Sequence, residues 1–309
     1  MSTFGCNRRS FFAHARTPAV LNSSTFSNNC PNCGLVKLEF TKMSGAGNDF
    51  VVIDNRLEIV RDGAALAKKL CDRRWGIGAD GLLLVQSSVN ADYGMMYYNA
   101  DGSYGGMCGN GGRCIARYTV DSGIAGDVQR FEALGYTYKA KVRREDVILS
   151  MKDPIGIRMN IVLRVGSITM KVHFADTGSP HVVIPVGQLS RKYKSIERIP
   201  LASLGAKIRL HKRFQPEGTN VNFIERRKDN SLRMRTYERG VEAETLACGT
   251  GSIASAVVGS LLWKLQSPVT IVASSGSTLV VGFKRDASRF TDVTLKGPAV
   301  TTFQGEVDA

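Results

Sequence analysis

The stretch GGMCGNGGRC, residues 105–114, places two cysteines among five glycines and leads into a sequence of helical character. A second stretch, LACGTGSIASA at 246–256, repeats the order Cys-Gly-polar-Gly and is also followed by an apolar helical run. We therefore predict that Cys108 and Cys248 each lie just before a helix N-terminus. We also expect the two thiols to face each other across one bound molecule.

The sequence around these loops alternates between helical and extended patterns. Helices are predicted over 62–74, with Asp62 as N-cap, over 109–120 and over 252–265. Apolar and alternating runs predict strands at residues 50–54, 82–85, 93–98, 136–142, 147–151, 168–174, 181–185, 221–225, 232–237, 269–273, 278–283 and 292–296. The class predicted is a mixed α/β fold rich in strands.

Each half of the chain contains strands, then a Cys-Gly-polar-Gly loop, then a helix. This order predicts two related domains about a pseudo-twofold axis, at residues 36–152 and 153–297. Residues 298–309 are predicted to form a C-terminal tail that packs back on the first domain.

Residues 1–35 differ from the rest, with three arginines, no acidic residue and much Ser, Thr and Asn. Three interpretations compete: a transit peptide, a disordered tail, or an extension upstream of a true start at Val36. We favour the last, because the run from Val36 onward has the pattern of a first strand.

The composition is that of a globular protein with a substantial core, at 309 residues, 43% hydrophobic and 22% charged. The formal net charge is +14, but the basic residues are scattered through mixed segments. We expect no nucleic-acid partner, and keep a basic anion- or nucleic-acid-binding protein as the alternative of another class. No apolar run has the length of a membrane-spanning helix, so no membrane span is expected.

Seven cysteines at irregular spacing favour free thiols in a reducing compartment over a disulfide framework. Cys30-Pro-Asn-Cys33 supplies half of a zinc site, and no second pair with suitable spacing follows. We predict no metal. Cys71 and Cys114 lack the glycine-loop setting and are predicted to be core residues.

The two glycine loops suggest a specific chemistry. Free N–H groups and the dipole at a helix N-terminus lower a thiol pKa and bind a carboxylate. Glycines at 109, 111, 249 and 251 let the backbone approach a ligand closely. Two opposed sulfurs could remove an α-proton from one face of an amino acid and return one to the other face. Such an inversion needs no pyridoxal phosphate and no metal, so no cofactor is expected.

Five ordered motifs, which span the chain from about residue 36 to its end, are similar to those of the diaminopimelate epimerase family. They are KMSGAGNDFVVID (42–54), NADGSYGGMCGNGGRC (99–114), GSPHVV (178–183), EGTNVNF (217–223) and YERGVEAETLACGTG (237–251). The proline racemase family shares the paired cysteines, with His rather than Asn expected in the first loop. A proline- or hydroxyproline-type racemase is therefore kept as an alternative.

The resemblance implies a role for each matching residue. Cys108 and Cys248 match the catalytic bases, and the backbone clamps on the reacting carboxylate match Gly109, Asn110, Gly249 and Thr250. The polar groups around the rest of the substrate match Asn48, Asn99, Asn220 and Arg239, with Arg239 on the distal carboxylate. Groups near the thiols and the reacting amino group match Glu238 and His181, with Ser179 in a supporting position.

The resemblance also implies the fold, the reaction and the assembly. Each domain is expected to be a central helix wrapped by a curved, mostly antiparallel sheet, with the active site in the cleft between the domains. The implied reaction interconverts L,L- and meso-diaminopimelate in lysine and peptidoglycan-precursor biosynthesis. A homodimer is expected, in the cytoplasm or, if residues 1–35 are a transit peptide, in a plastid.

The sequence departs from the usual family pattern at two positions and in the length of one segment. Ser179 and Gly81 stand where many members carry Asn and Gln. The segment from Glu238 to Cys248 is one residue longer than the common spacing, which leaves open whether Glu238, Glu242 or Glu244 approaches the substrate amino group.

Overall fold

A computed structural model describes residues 37–189, 193 and 195–308. The 1–35 segment, with its three competing interpretations and the Cys30–Cys33 pair, lies outside the described residues. Residues from Val36 to Ala309 form one compact unit. Among the described residues, no helix is long and apolar enough to cross a membrane.

The first half of this unit contains seven strands and two helices. In chain order these are β1 (Lys37–Gly45), β2 (Asn48–Asp54), α1 (Gly63–Cys71), β3 (Gly81–Gln86), β4 (Tyr93–Asn99), α2 (Gly109–Asp121), β5 (Val128–Ala133), β6 (Tyr136–Arg143) and β7 (Asp146–Ser150).

The second half contains two further helices and the remaining strands. They are β8 (Ile155–Val165), β9 (Ile168–Asp176), β10 (Pro180–Pro185), α3 (Leu201–Arg209), β11 (Asn220–Arg226), β12 (Leu232–Glu238), β13 (Ala243–Thr245), α4 (Gly249–Trp263), β14 (Val269–Val272), β15 (Thr278–Asp286), β16 (Arg289–Pro298) and β17 (Val300–Asp308). Short 3-10 helices lie at Val186–Gln188, Ile196–Arg198 and Lys212–Phe214.

The predicted elements are present, with some different ends. Helix α1 is shorter than predicted and ends at Cys71, and Asp62 caps it by accepting from the Ala65 N–H. Helix α4 begins three residues earlier than predicted, at Gly249. The sequence analysis missed α3 and the strands β5, β8, β13 and β17. Several of these carry polar or charged residues at every second position, which weakens their apolar signal.

The two halves have the same strand topology. In the first, β1–β2 is antiparallel, β2–β3 parallel, β3–β4 antiparallel, β4–β5 parallel, and β5–β6–β7 antiparallel. In the second, β9–β10, β10–β11, β11–β12, β12–β14 and β14–β15–β16 follow the same sequence of directions. The internal repeat that was predicted from the order of the elements is therefore present in the topology.

Each half also receives one outer antiparallel strand, β17 beside β1 and β8 beside β9. Two strand pairings join the halves. Strand β17, which follows the second half in the chain, pairs with β1 of the first half, and β16 of the second half pairs with β7 of the first. Both connections are made of backbone hydrogen bonds, which hold the halves in a defined register.

One helix lies inside each curved sheet. Helix α2 packs against β1, β2, β6 and β7, and α4 packs against β9, β10, β11 and β12. Helix α4 is apolar on almost all sides and is buried from Gly249 to Ser260 apart from Thr250, as expected for a helix enclosed by a sheet. The predicted mixed α/β fold with two similar halves, each wrapped around a central helix, is confirmed.

Strand alternation sorts the side chains between two layers in each half. In β2, Phe50 and Val52 face the core around α2, whereas Val51 and Ile53 face α1. In β11, Val221 and Phe223 face the cluster that covers α3. Asn222 lies between them and therefore points to the opposite face, toward α4. This alternation places a polar side chain next to the second cysteine loop.

Candidate active site

Each of the two cysteines is the N-cap of a central helix. Cys108 precedes α2 and its Sγ accepts the Gly111 N–H at 3.5 Å, whereas Cys248 precedes α4 and its Sγ accepts the Gly251 N–H at 3.4 Å. Both caps have extended backbone dihedrals, as an N-cap requires. The two halves thus present the same thiol in the same local geometry.

The starts of the two helices meet. A Cβ added to Gly249 would lie 3.5 Å from the Gly109 Cα and 2.8 Å from the Leu295 Cδ2, a distance too short for a real side chain. Gly249 therefore lies next to Gly109, and the Leu295 side chain fills the space where a larger residue would place its Cβ. Two sets of free N–H groups therefore converge on one region, which favours an anion.

A pair of asparagines connects the loops. The Cys108 Sγ lies 3.7 Å from the Asn48 Oδ1, which also accepts the Asn110 Nδ2 at 3.3 Å. The same Nδ2 donates to the backbone oxygen of Ala247 at 3.1 Å, one residue before Cys248. Asn110 therefore bridges the first cysteine loop to the second.

A network of hydroxyls and one imidazole surrounds Cys248. The Thr250 Oγ1 lies 3.6 Å from the Cys248 Sγ and 2.9 Å from the His181 Nε2. The Ser179 Oγ lies 3.0 Å from the same imidazole nitrogen. Serine, which is shorter than the asparagine of the usual family pattern, therefore takes part in this hydrogen-bond network. Serine here reaches His181 and Thr250 directly.

The hydrogen bonds of Asn222 assign the tautomer of His181. The Asn222 Nδ2 donates to the His181 Nδ1 at 3.0 Å and to the Val182 O at 3.1 Å, and its Oδ1 accepts the Thr236 Oγ1. The His181 Nδ1 is thus an acceptor, and its Nε2 carries the proton that faces Thr250. Burial and the charge of Arg239 lower the pKa of His181 to about 3, so the ring is neutral.

Asn220, Glu238 and Arg239 lie together at the ends of β11 and β12. The Asn220 Oδ1 accepts the backbone N–H of Arg239 at 2.9 Å, and the Arg239 Nη1 donates to the Glu217 O at 3.1 Å. The Glu238 Oε2 accepts the Thr245 hydroxyl at 2.7 Å. Burial raises the pKa of Glu238, and its charge acts on both Cys108 and Cys248.

The structure distinguishes the three acids whose placement was left open. Glu242 pairs with Arg209 at 3.1 Å and Glu244 with Arg235 at 2.6 Å, both toward other parts of the surface. Glu238 is the acid that lies near the thiols.

Asn99, the last residue of β4, is oriented by its neighbours. Its Oδ1 accepts the Tyr97 hydroxyl at 2.7 Å, and its Nδ2 donates to the Ser103 Oγ at 2.9 Å. A Cβ on Gly81 would lie 2.5 Å from the Tyr97 ring, so the space beside Gly81 is filled by the tyrosine.

Opposing effects act on the pKa of the two thiols. Burial raises the pKa of both Cys108 and Cys248, and the nearby Glu238 charge raises them further. The N–H groups at each helix start lower the pKa, as expected from the sequence. Because burial has the larger effect, the net direction for both thiols is upward, which the sequence alone did not determine.

Cys71 and Cys114 are buried among apolar residues, as predicted, with the pKa of each raised to about 12 by burial. The described residues hold no cluster of three or more His, Cys, Asp or Glu side chains arranged for a metal ion.

The sequence analysis did not identify Tyr97, Asn222, Asp80 or Arg113 as part of this region. The Asp80 Oδ2 accepts the Asn48 Nδ2 at 2.5 Å, and the Arg113 Nη2 donates to the Asn110 Oδ1 at 2.9 Å. Only Asn222 had a visible signal, since it is a polar residue inside an apolar strand. The others act through contacts that no local pattern indicates.

The comparisons with known proteins agree with this geometry. The sequence profile of the diaminopimelate epimerase family matches residues 40–157 and 173–302. The chain is 43% identical over 269 residues to the diaminopimelate epimerase of Chlorobaculum tepidum, which covers 86% of this chain and 99% of that protein. It is 39% identical over 271 residues to the enzyme of Flavobacterium psychrophilum, with coverage of 86% and 99%.

Among solved structures, a probable proline racemase from Agrobacterium radiobacter is similar, with a TM-score of 0.68 over 87% of this chain and 92% of that one. Its 18% identity supports likeness of fold alone. The family profile covers most of the chain, and the relatives match along nearly their whole length. Together with the two capping cysteines, these matches establish that the chain belongs to the diaminopimelate epimerase family.

Proposed function

We propose that this protein interconverts L,L- and meso-diaminopimelate, with Cys108 and Cys248 as two opposed bases. The observation that carries the proposal is the repeated arrangement of the thiols. Each one caps a central helix, and the two helix starts meet at Gly109 and Gly249. The relatives described above, which are diaminopimelate epimerases, supply the substrate.

In the proposed reaction, one cysteine acts as a thiolate and removes the α-proton of the bound amino acid. The C–H bonding pair becomes a carbanion conjugated with the carboxylate. The other cysteine, as a thiol, delivers its proton to the opposite face and becomes the thiolate. Inversion therefore exchanges the roles of the two sulfurs, and each direction of the reaction begins from the opposite protonation state.

The helix N-termini are suited to hold the reacting carboxylate. The backbone N–H groups of Gly109 and Asn110 in one loop, and of Gly249 and Thr250 in the other, belong to the first turns of the helices, where they have no partner within the helix. Such donors stabilise negative charge as it develops in the transition state. Because the donors are backbone groups of packed helices, they need little reorganisation during the reaction.

The raised thiol pKa values fit a role that depends on a bound substrate. A buried thiolate beside Glu238 is disfavoured, whereas the ammonium group of an amino acid beside Glu238 would offset that charge. We infer that Glu238 receives the reacting ammonium group. The neutral His181 then supports Thr250 and Cys248 without adding charge.

The distal end of diaminopimelate carries a second carboxylate and a second ammonium group. We assign the distal carboxylate to Arg239 and the surrounding polar contacts to Asn48, Asn99 and Asn220. A guanidinium can hold a carboxylate with two parallel hydrogen bonds. An amino acid with an apolar side chain would offer no charged group to Arg239 and the three asparagines, so a racemase of such a substrate would not need them.

A homodimer in a reducing compartment, the cytoplasm or a plastid, completes the proposal. The support for the compartment is chemical, since a reaction through two free thiols requires that both stay reduced. Size-exclusion chromatography with light scattering tests the dimer.

Exchange of the α-proton with solvent tests the function directly. The reduced protein is incubated with L,L-diaminopimelate in deuterated water, and the α-proton is followed by NMR. Deuterium incorporation with inversion is expected in the wild type and is expected to be absent in Cys108→Ala and Cys248→Ala. Cys71→Ala, which removes a buried thiol outside the site, is the matched control and should retain exchange.

Two other results would contradict the proposal. Exchange with proline but not with diaminopimelate would assign the protein to the racemase chemistry. No exchange with either, together with salt-dependent binding of nucleic acid, would support the basic binding protein instead.

A further inference from the structure

Arg113, the fifth residue of α2, is a buried cation. Its side chain is 0% exposed, although it carries a guanidinium. The donors reach three uncharged oxygens: Nε donates to the Pro298 O at 3.4 Å, Nη1 to the Gly109 O at 3.1 Å and Nη2 to the Asn110 Oδ1 at 2.9 Å. An arginine that is fully buried is normally paired with an acid.

No carboxylate of the described residues forms an ion pair with this guanidinium. Asp146 is the acid whose charge acts on it, but the Asp146 Oδ2 is paired with the Lys296 Nζ at 2.8 Å. The structure nevertheless makes room for the group. A Cβ added to Gly297 would lie 3.3 Å from the Arg113 Nε and 2.4 Å from the Leu279 Cδ2. A buried positive charge without a counter-ion is unfavourable unless something nearby balances it.

The hydrogen bond to Asn110 gives the arginine a geometric effect on the site. Because the Asn110 Oδ1 accepts from Arg113, the amide nitrogen is directed toward the Asn48 Oδ1 and the Ala247 O. The contact with Asn48 holds the oxygen that lies near the Cys108 Sγ, and the contact with Ala247 reaches the loop of Cys248. Arg113 therefore fixes the orientation of the amide that bridges both thiol loops.

We propose that Arg113 is a positioning residue that also serves as the fixed counter-charge of the site. Its buried guanidinium orients Asn110 and is balanced when Cys108 becomes a thiolate. The inference rests on the proposed function only in treating Cys108 as a base.

The other ionisable groups around Cys108 do not favour its thiolate. Glu238, Cys248, Tyr97 and Cys114 lie near it, and each is neutral or negative. The Arg113 charge lowers the pKa of Cys108, against the larger effect of burial. Removal of the charge should therefore raise that pKa further.

The test is the pH dependence of Cys108 alkylation by iodoacetamide in the full chain without substrate, read by site-resolved mass spectrometry. In Arg113→Gln, the apparent pKa of Cys108 should rise, so that the thiolate fraction and the alkylation rate at a given pH fall relative to the wild type. Arg113→Lys keeps the charge in the same place and should restore a pH profile close to that of the wild type.

Arg117→Met is the matched control. Arg117 lies one turn further along α2, is largely buried and pairs with Asp121 at 3.7 Å. Its loss removes a similar cation on the same face of the helix without contact to Asn110. The Cys108 profile should change little in this variant.

Arg113→Met is a second neutral variant in case Arg113→Gln does not fold, as judged by circular dichroism. A folded neutral variant with the wild-type Cys108 profile would overturn the inference, as would an equal shift in Arg117→Met. Alkylation is measured without turnover, so either result leaves the proposed reaction intact. Conversely, failure of the wild type to exchange the α-proton would remove the proposed function without changing the alkylation result.

Discussion

Each thiol of the site accepts one backbone N–H from its own helix, yet the surroundings of the sulfurs decide their chemistry. Burial raises the pKa of Cys108 and Cys248 more than the helix N–H groups lower it. Glu238 adds to the rise, and Arg113 opposes it at Cys108. At the scale of single residues, the thiol pKa values therefore reflect a balance between burial, nearby charges and backbone hydrogen bonds.

His181 should make the protein sensitive to acid. Its folded-state pKa of about 3 lies below the ordinary 6.5, so its contribution to stability is complete above pH 6.5 and is lost as the pH falls toward 3. By pH 4 the loss is on the order of 3 kcal/mol.

Chemical denaturation of the wild type and His181→Gln between pH 7 and pH 4 checks this. The difference in free energy of unfolding between the two proteins should shrink, or change sign, as the pH falls. Parallel stability curves over that range would contradict the prediction.

Tyr97 should contribute to substrate binding through Asn99. Tyr97→Phe removes the hydroxyl that donates to the Asn99 Oδ1, which frees the amide to rotate. Loss of one such contact is expected to raise the KM for diaminopimelate about 5- to 20-fold, with a smaller change in kcat.

Tyr93→Phe is the matched control, because Tyr93 lies on the same strand and its buried hydroxyl donates to the Gln129 Oε1 at 2.6 Å. It should lower stability by about 1 kcal/mol and leave KM unchanged. Equal KM values for Tyr97→Phe and the wild type would show that the hydroxyl does not position the substrate.

At the scale of elements, two helix N-termini are brought together by the sheets around them. Helix α2 packs on β1, β2, β6 and β7, and α4 packs on β9 to β12, so neither helix can shift without its sheet. Their first residues, Gly109 and Gly249, lie next to each other, with the Leu295 side chain beside both. The packed helices and sheets therefore hold each cysteine in a defined position, although its loop is rich in glycine.

Gly249→Ala should disturb the packing of Leu295 against the helix starts. The new Cβ would meet the Leu295 Cδ2 at 2.8 Å, which requires a shift of the side chain or of the helix. We expect a loss of about 1–3 kcal/mol in stability and at least a tenfold loss of exchange activity.

Gly126→Ala is the comparison, because an added Cβ there meets nothing within 4 Å. Thermal melts and the deuterium-exchange assay on both variants check the prediction. An active Gly249→Ala would mean that the helix starts tolerate a shift of the Leu295 side chain.

At the scale of the whole molecule, the C-terminal strands hold the two halves together. Strand β16 pairs with β7, and β17 pairs with β1 along most of its length. The first half therefore receives its outer strand from the end of the chain, whereas the second half receives β8 directly before β9.

Removal of residues 300–309 should weaken the first half specifically. It uncovers the edge of β1 and exposes Phe40, which packs against Phe303 with ring centroids 5.9 Å apart. An unpaired edge strand promotes association. We expect a lower melting temperature and concentration-dependent aggregation.

Phe303→Thr keeps the backbone pairing and removes only the aromatic contact, so it should have a smaller effect. Hydrogen exchange by mass spectrometry should show faster exchange in β1 of the truncated chain than in β9. Equal hydrogen-exchange rates in β1 and β9 of the truncated chain would contradict a specific role for β17 in the first half.

The sequence by itself determined the parts that depend on local patterns. The two Cys-Gly-polar-Gly loops predicted the capping cysteines, and the order of strands and helices predicted two similar halves. Five ordered motifs pointed to the family. These features were readable because capping, strand alternation and helix periodicity are set by residues close together in the chain.

Only the tertiary structure decided which distant groups meet. It brought Gly109 to Gly249, selected Glu238 over Glu242 and Glu244, filled the space at Gly81 with Tyr97, and placed Arg113 under Asn110. It also decided the net direction of the thiol pKa shifts, in which burial outweighs the helix N–H groups. The physical reason is that burial and long-range contacts depend on how the sheets close around the helices, and a charge or an amide has its effect only through neighbours that packing supplies.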